Sequence, residues 1–288
     1  MTSAAERPDG RAAGAASVLT PAWAGVRVPV VGVLHAPPLP GAPRCDRDLA
    51  DIREFVLRDA EALAAGGVHG LLLENFGDAP FYPGRVPAAV VACMTWLAAE
   101  VRRGWGLPLG INVLRNDGRS ALAVAHAVGA DFIRGNVLCG ARVTDQGLIA
   151  GIAHALLRDR ARLGAARIKI LADVDVKHST PLGTARPLAE EVADTLARGG
   201  ADGVILSGSG TGRPTAVDEL RTAKGAAGRA PVFVGSGITA ESVGDYLPYA
   251  DGLIVGTALK RDGQVSHPVD AGRVIRIPLS FCAQFGAS

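Results

Sequence analysis

Short apolar segments alternate with longer amphipathic segments along most of the chain. Each unit consists of a helical stretch, a Gly and a short β-branched run that ends in polar residues. Near-continuously apolar runs of this length are typical of parallel strands that are buried on both faces. The pattern predicts eight strands: Arg27–Ala36, Gly70–Asn75, Leu107–Leu114, Asp131–Val137, Ile168–Asp175, Gly203–Gly208, Val232–Gly237 and Gly252–Thr257.

The segments between the strands predict covering helices. Five of them are rich in Ala, Leu and Arg: Asp46–Ala65, Pro87–Arg103, Ser120–Val128, Leu148–Leu163 and Pro187–Arg198. Parallel strands alternating with helices make an α/β fold, and eight such units in about 250 residues match a (β/α)8 TIM barrel. An open, doubly wound sheet is the alternative, because periodicity does not show whether the sheet closes.

The domain organisation follows from the same pattern. We expect one barrel domain over residues 25–288, because the repeat of strands and helices runs almost to the end of the chain. Residues 1–24 are rich in Ala, Gly and Pro without a useful period, which favours a flexible N-terminal tail.

Composition narrows the class of partner. The 288 residues are 48% hydrophobic and carry a net charge of +2 with scattered Lys and Arg, which is not typical of a nucleic-acid-binding protein. The four cysteines form no CxxC pair, so we expect a reducing cytoplasm rather than a disulfide framework. Because no apolar run approaches the ~20 residues that cross a bilayer, we expect no transmembrane segment.

Ionisable residues are concentrated at the end of the fifth predicted strand. The stretch LADVDVKH places Asp173, Asp175 and Lys177 at alternate positions, with His178 next. Since side chains alternate faces along a strand, we expect these three groups to point the same way. Carboxylates so placed can act as general acid and base or bind a divalent metal through oxygen. The alternative is a structural salt bridge from Asp173 to Lys177 or Arg134.

Other strand ends add to this set, because the active site of a TIM barrel lies at the carboxyl ends of its strands. The predicted catalytic residues are Asp173, Asp175, Glu74, Lys177 and His35, and the predicted substrate-binding residues are Asn75, Asn112, Arg115, Arg134, Asn136 and His178. Asp173, Asp175 and Glu74 are the candidate ligands if a metal such as Mg²⁺ is bound; no nucleotide-cofactor motif is present, so the cofactor stays open. A Schiff-base role for Lys177 is less favoured, since the residue follows the strand end, where burial is doubtful.

The last three predicted strands end in glycines and hydroxyl side chains. Bare backbone N–H groups in such loops can bind an anion, and barrels often hold phosphate after strands seven and eight. The alternative is that these glycines only turn the chain. The predicted phosphate-binding residues are Ser207, Gly208, Ser209, Gly210, Gly235, Ser236, Gly237, Gly256 and Thr257.

Several of these blocks together resemble a known family, from about Val28 to Asp270. The blocks are GVLHAPPLPG (residues 32–41), ENFGDAPF (74–81), LGINVLRND (109–117), ADVDVKH (172–178) and SGSGTG (207–212), and they resemble the BtpA/SgcQ family. The resemblance implies a TIM barrel of the ribulose-phosphate-binding type. It implies no single activity, because the family is named for a cyanobacterial factor needed for photosystem I accumulation, whereas another member belongs to a sugar-uptake operon.

Two functions therefore stay open. The first is an enzyme that acts by acid/base chemistry on a small phosphorylated substrate, a sugar phosphate or a phosphoribosyl compound, as an isomerase, a lyase, or a transferase or hydrolase. The second is a non-catalytic assembly factor of the BtpA type. The chain departs from the family at residues 273–288, where Pro278 would interrupt the expected closing helix. An exposed apolar tail there would fit an interface of a homo-oligomer.

Overall fold

A closed barrel of parallel strands forms the centre of the molecule in a computed structural model that describes residues 15–208 and 210–277. Strands are numbered along the whole chain, and three of them belong to a separate small sheet described below. The barrel strands are β1 (Val30–His35), β2 (Gly70–Glu74), β3 (Leu109–Asn112), β4 (Phe132–Gly135), β7 (Lys169–Val174), β9 (Gly203–Leu206), β10 (Val232–Val234) and β11 (Gly252–Val255). Neighbouring strands pair in this order, and β11 pairs with β1. The predicted barrel is confirmed and the open sheet is wrong, because this last pairing closes the sheet.

Helices cover the outside of the barrel. They are α1 (Leu49–Ala65), α2 (Ala88–Gly104), α3 (Gly118–Val128), α4 (Ala153–Arg162), α5 (Leu188–Ala197), α6 (Val217–Ala227) and α7 (Val243–Tyr246). Local chemistry sets several of their ends. The Asp48 carboxylate accepts a hydrogen bond from the Asp51 backbone N–H at the start of α1, and α3 ends at Gly129 in the left-handed conformation. Apolar side chains of the helices and of the outer strand faces form the main core.

The amino end of the barrel interior is filled by residues before β1. The segment 15–23 forms two 3-10 turns, and Trp23 packs against Phe132 and Phe233, with ring centroids 5.9 and 6.0 Å apart. Its indole N–H donates to the His69 carbonyl at 2.7 Å. The predicted flexible tail is therefore wrong for residues 15–24, because one buried Trp anchors them without any periodic pattern. Residues 1–14 lie outside the described part of the chain.

A small antiparallel sheet lies beside the carboxyl end of the barrel and was missed by the strand pattern. It consists of β5 (Ala141–Thr144), β6 (Gly147–Ala150) and β8 (Ser179–Pro181) in the order β6-β5-β8. The predicted fourth helix from Leu148 is accordingly wrong at its start, since residues 148–150 belong to β6. The sheet joins the loops after β4 and β7, so it connects two neighbouring loops of the mouth.

The last described residues, 271–277, are helical. Pro278 and the rest of the predicted interface tail lie outside the described residues, so the short closing helix and the homo-oligomer stay predictions. Within residues 15–208 and 210–277, no helix has both the length and the apolar content that a membrane crossing requires.

Candidate functional site

Two adjoining cavities lie at the carboxyl end of the barrel. Their volumes are about 280 and about 290 Å³. Glu74, Phe76, Arg134, Lys177 and Thr211 line both of them. Because these residues belong to both linings, the two cavities adjoin, and we call them the first and the second cavity of the mouth.

The first cavity is bounded by the last two barrel loops. Gly235, Ser236, Gly237, Gly256 and Thr257, all predicted as phosphate-binding, line it. Sequence reasoning missed Arg273 and Arg276, which also line this cavity from the closing helical segment. No strand-end pattern identifies them, since they follow the last strand by many residues. Backbone amides, hydroxyls and two guanidinium groups therefore surround this end of the space.

The remaining predicted phosphate-binding residues have other places. Ser207 and Gly208 line neither cavity, and a Cβ atom on Gly208 would lie 2.3 Å from the Arg213 carbonyl oxygen. The Gly210 carbonyl accepts a hydrogen bond from Ser236 Oγ at 3.1 Å, so Gly210 supports the lining loop from behind. Ser209 lies outside the described residues. Gly208 thus allows a close approach of the Arg213 backbone, as the geometry around it leaves no room for a side chain.

A buried guanidinium group organises the floor of the mouth. Arg134 donates from Nε and Nη2 to the two oxygens of Asp173, at 3.0 and 2.9 Å, and from Nη1 to Glu74 Oε1 at 3.2 Å. Burial acts against the charge of Arg134, but Asp173 and Glu74 outweigh it and raise the pKa of the guanidinium. Arg134 is therefore a fixed cation held between two carboxylates.

Asp173 forms a structural salt bridge with Arg134, which was the alternative interpretation of its role. Both of its oxygens accept hydrogen bonds from Arg134, and Oδ2 also accepts one from Asn136 Nδ2 at 2.7 Å. The side chain lines neither cavity. Acid/base or metal chemistry at Asp173 stays a prediction that this geometry does not support, because a proton or a metal ion would compete with three donated hydrogen bonds.

Asp175 does not point into the mouth. Strand β7 ends at Val174, and Asp175 has a positive φ of 46° that breaks the alternation of side chains. Its carboxylate is 63% exposed and pairs with Arg142 at 3.1 Å. The prediction that Asp173, Asp175 and Lys177 share one direction is therefore wrong for Asp175, because the strand has already ended.

Lys177 lines both cavities and is only half-exposed. Burial first, and then the charge of Arg134, lower the pKa of its ammonium group against the opposing effect of Glu74 and Asp173, and the net result is a pKa lowered from 10.5 to about 8. Among the described residues, its Nζ atom has neither a hydrogen bond nor an ion pair. The doubt about burial that weakened the Schiff-base interpretation is thus removed.

His35 lines the first cavity. Its ring meets Phe76 edge-on with a centroid distance of 4.8 Å, and its side chain is buried. Burial lowers the pKa of His35 well below its usual value, and the nearby cations Lys260, Lys177 and Arg134 add to this. Its Nδ1 is buried with no hydrogen-bond partner among the described residues. The imidazole is therefore neutral at neutral pH and can accept or donate a proton.

The second cavity is lined by amides and by an arginine. Asn112 and Asn136 donate their Nδ2 groups to Glu74 and Asp173, which leaves both Oδ1 atoms buried and unpartnered within the described chain. These acceptors fit ligand hydroxyl or amino groups. Arg115 also lines this cavity.

Two other predicted binding residues differ in their roles. His178 lines the second cavity, where its Nε2 lies 3.0 Å from Thr211 Oγ1. Asn75 lines neither cavity: its side chain bonds Asp78 and accepts the Leu114 N–H at 2.7 Å, which fixes the loop after β2. Phe76, Phe81 and Asp145 line the second cavity and were missed, because none of them is a strand-end residue.

The carboxylates of the site do not form a metal cluster in the geometry described. Within residues 15–208 and 210–277, no group of three His, Cys, Asp or Glu side chains is arranged to hold a metal ion. Arg134 also occupies the position between Glu74 and Asp173. The Mg²⁺ expectation therefore stays untested.

Solved structures of low sequence identity share this fold. KGPDC from Streptococcus mutans aligns with a TM-score of 0.56 at 14% identity, covering 90% of this chain and 99% of that one. The 3-hexulose-6-phosphate synthase from Salmonella typhimurium aligns with a TM-score of 0.53 at 16% identity, covering 89% and 99%. At these identities the likeness shows the barrel fold alone.

Sequence comparison is more specific. The chain is 50% identical to the photosystem I biogenesis protein BtpA of Synechocystis over 85% of each sequence. It is 45% identical to a protein of Thermococcus kodakarensis, over 87% of this chain and 94% of that one, and 32% identical to a mitochondrial protein of Caenorhabditis elegans, over 85% and 90%. The model of the BtpA family matches residues 26–280. This chain therefore belongs to the BtpA family.

Proposed function

We propose that this protein is an enzyme that acts on a small phosphorylated compound, a sugar phosphate or a phosphoribosyl derivative, by proton transfer at the barrel mouth. One observation carries the proposal. The loops of β10 and β11, with Gly237 and Thr257, line the same cavity as the ionisable side chains His35 of β1, Glu74 of β2 and Arg134 of β4. A phosphate bound by the first set would place the rest of its molecule against the second.

The phosphate end has the required chemistry. Thr257 begins a 3-10 turn after Gly256, and Gly237 adopts a positive φ of 68° in the neighbouring loop. Backbone N–H groups in such turns, together with Arg273 and Arg276, favour an anion. A dianionic phosphate fits this surface better than a neutral group does.

The reacting end has groups that can move protons. His35 is neutral because its pKa is lowered, and Glu74 receives hydrogen bonds at Oε1 from Asn112 and Arg134. Among the described residues, no hydrogen bond occupies Glu74 Oε2. Isomerisation, lyase chemistry, and transfer or hydrolysis at an anomeric carbon are each compatible with one acid/base pair and fixed cations.

An assembly factor is the second candidate, and the relative named as a photosystem I biogenesis protein favours it. The relative in Caenorhabditis elegans weighs against a role restricted to photosystems, since an animal has none. The mouth also keeps a buried cluster of charges that is costly without a use. The enzyme is therefore the better-supported function.

Thermal unfolding with inorganic phosphate and with phosphorylated sugars tests the proposal. At 100 times the dissociation constant, a ligand should stabilise the fold by about 2.7 kcal/mol. We expect Thr257→Asp to abolish this stabilisation, because it places a carboxylate on the phosphate loop. Gly237 is a poorer test position, since a Cβ there would lie 2.3 Å from the Arg213 backbone and would disturb the loop itself.

Thr222→Asp on the exposed face of α6 is the matched control, and it should keep the full stabilisation. If no phosphorylated compound stabilises the wild-type protein, the enzyme proposal fails and the assembly factor is favoured. If Thr257→Asp responds like the wild type, phosphate binds elsewhere.

A further inference from the structure

Lysine is rare in this chain, and one lysine differs from the others. Among 30 Lys and Arg residues only four are Lys. Three of these pair with carboxylates: Lys169 with Asp202, Lys224 with Asp251 and Lys260 with Asp59. Lys177 has no such partner among the described residues, and it is also the lysine that lines the mouth.

The position of Lys177 suits contact with the middle of a bound molecule. The residue belongs to the wall shared by the two cavities, between the phosphate loops of the first and the amide acceptors of the second. Arg115 holds the local chain in place by donating from Nη2 to the Lys177 carbonyl at 2.6 Å. A ligand anchored by phosphate at one end and by hydroxyl groups at the other would pass the Lys177 amine.

We propose that Lys177 is an imine-forming amine that attacks the carbonyl group of a phosphorylated aldehyde or ketone. This inference rests on the proposed function, since the phosphate loops are what bring the carbonyl to the amine. It differs from the role in which a protonated lysine only stabilises an oxyanion, because here a covalent bond to Nζ forms.

The chemistry balances without any further reactant. The ammonium group first loses a proton to water, and the lone pair of the neutral amine forms the new C–N bond while the carbonyl π pair moves to oxygen. Proton transfer from nitrogen to that oxygen gives a neutral carbinolamine. The C–O bond then breaks, and the hydroxyl leaves as water after taking one proton from solvent, which leaves a protonated imine.

The surroundings of Lys177 support each step of this reaction. A neutral amine is needed for attack, and the half-buried position near Arg134 keeps a larger neutral fraction than a fully exposed lysine has. The protonated imine then withdraws electrons from the adjacent carbon, which makes the C–H bond of that carbon more acidic. His35 or Glu74, which line the same cavity, can take the proton released there. The proposed substrate class is therefore a phosphorylated carbonyl compound with hydroxyl groups.

Reductive trapping on the full chain tests the inference. Pyridoxal 5′-phosphate combines an aldehyde with a phosphate, and 5-deoxypyridoxal is the same free aldehyde with a methyl group in place of the phosphate-bearing arm. After incubation with either probe and reduction by sodium borohydride, peptide mapping by mass spectrometry locates the adduct. We expect one adduct, on Lys177, formed about tenfold or more faster with the phosphorylated probe and suppressed by inorganic phosphate.

Two variants and a pH series sharpen the result. Lys177→Arg keeps the positive charge and should lose the adduct while inorganic phosphate still stabilises the fold. Lys169→Arg is the matched control, in an ion pair away from the mouth, and should keep the adduct. The trapping rate should rise with pH and reach half of its maximum near pH 8, because the pKa of Lys177 is lowered to about 8.

The possible outcomes separate this inference from the proposed function. If phosphate stabilises the protein but adducts form only on Lys169, Lys224, Lys260 or the terminal amine, the imine inference is overturned and the proposed function stands. If Lys177 is trapped equally well by both probes and phosphate has no effect, the amine role stands and the phosphate site is wrong. A trapping rate that still climbs steeply past pH ~10 would also contradict the inference, as an ordinary lysine behaves that way.

Discussion

Arg134→Met is expected to lower the free energy of unfolding by about 3–5 kcal/mol, which is the usual cost of removing one partner from a buried ion pair. Arg134 is 3% exposed and donates to both Glu74 and Asp173, so its loss leaves two buried carboxylates without the cation that is hydrogen-bonded to them. Methionine keeps most of the volume, and the lost charge therefore dominates the effect. Chemical denaturation of the wild type and the variant measures this difference in the free energy of unfolding, provided that both show the same dependence on denaturant concentration (the same m-value).

Arg221→Met on α6 is the control for this change. Arg221 pairs with Asp218 on an exposed surface, so the same substitution should alter the stability by less than about 0.5 kcal/mol. A loss below about 1 kcal/mol in Arg134→Met would contradict the assignment of Arg134 as the cation that holds the floor of the mouth together.

Lys260→Met is expected to destabilise the fold by a similar amount, about 3–5 kcal/mol. Lys260 is fully buried, pairs with Asp59 of α1, and lies over the Phe55 ring with Nζ 5.5 Å from its centroid. Asp59 also accepts the Val269 N–H at 2.7 Å. The pair therefore links the first helix of the barrel to the segment that follows the last strand, across the seam where β1 meets β11.

The double variant Lys260→Met/Asp59→Asn shows whether the destabilisation in Lys260→Met comes from the unpaired charge of Asp59 or from the changed shape of the side chain. Asparagine is neutral and keeps an oxygen that can accept the Val269 N–H, so the double variant should recover a large part of the stability lost in Lys260→Met. Chemical denaturation of Lys260→Met, Asp59→Asn and the double variant, each compared with the wild type, gives the coupling energy. If the two single effects simply add, the residues do not act as a pair and this account of the seam is wrong.

The barrel could be predicted because its signal is local. Strands such as Ile168–Asp175 are marked by runs of apolar residues next to helical segments, and burial on both faces demands that composition wherever the strand pairs. The order of the units then restricts the fold, since connections between parallel strands are short and right-handed. The small sheet of β5, β6 and β8 carries no such signal, because its short strands are partly exposed.

The site was predictable only in part. His35 and Glu74 reach the mouth because they are the last residues of barrel strands whose carboxyl ends meet there, and Lys177 reaches it from the loop after β7. Asp175 turns away at a positive φ, and Asn75 fixes a loop instead of lining a cavity. These outcomes depend on the residue at which each strand ends. A sequence pattern does not predict a strand end to within one or two residues.

The sequence by itself determined the parallel barrel, the mouth at which polar strand ends gather, and the family. Only the tertiary structure decided which of these polar groups are already engaged. Asp173 is held by Arg134, which lies 39 residues away along the chain, whereas Lys177 stays without an ion pair among the described residues. The physical reason is that a hydrophobic pattern reports burial position by position, but partner choice among charges depends on distances that exist only after the barrel has closed.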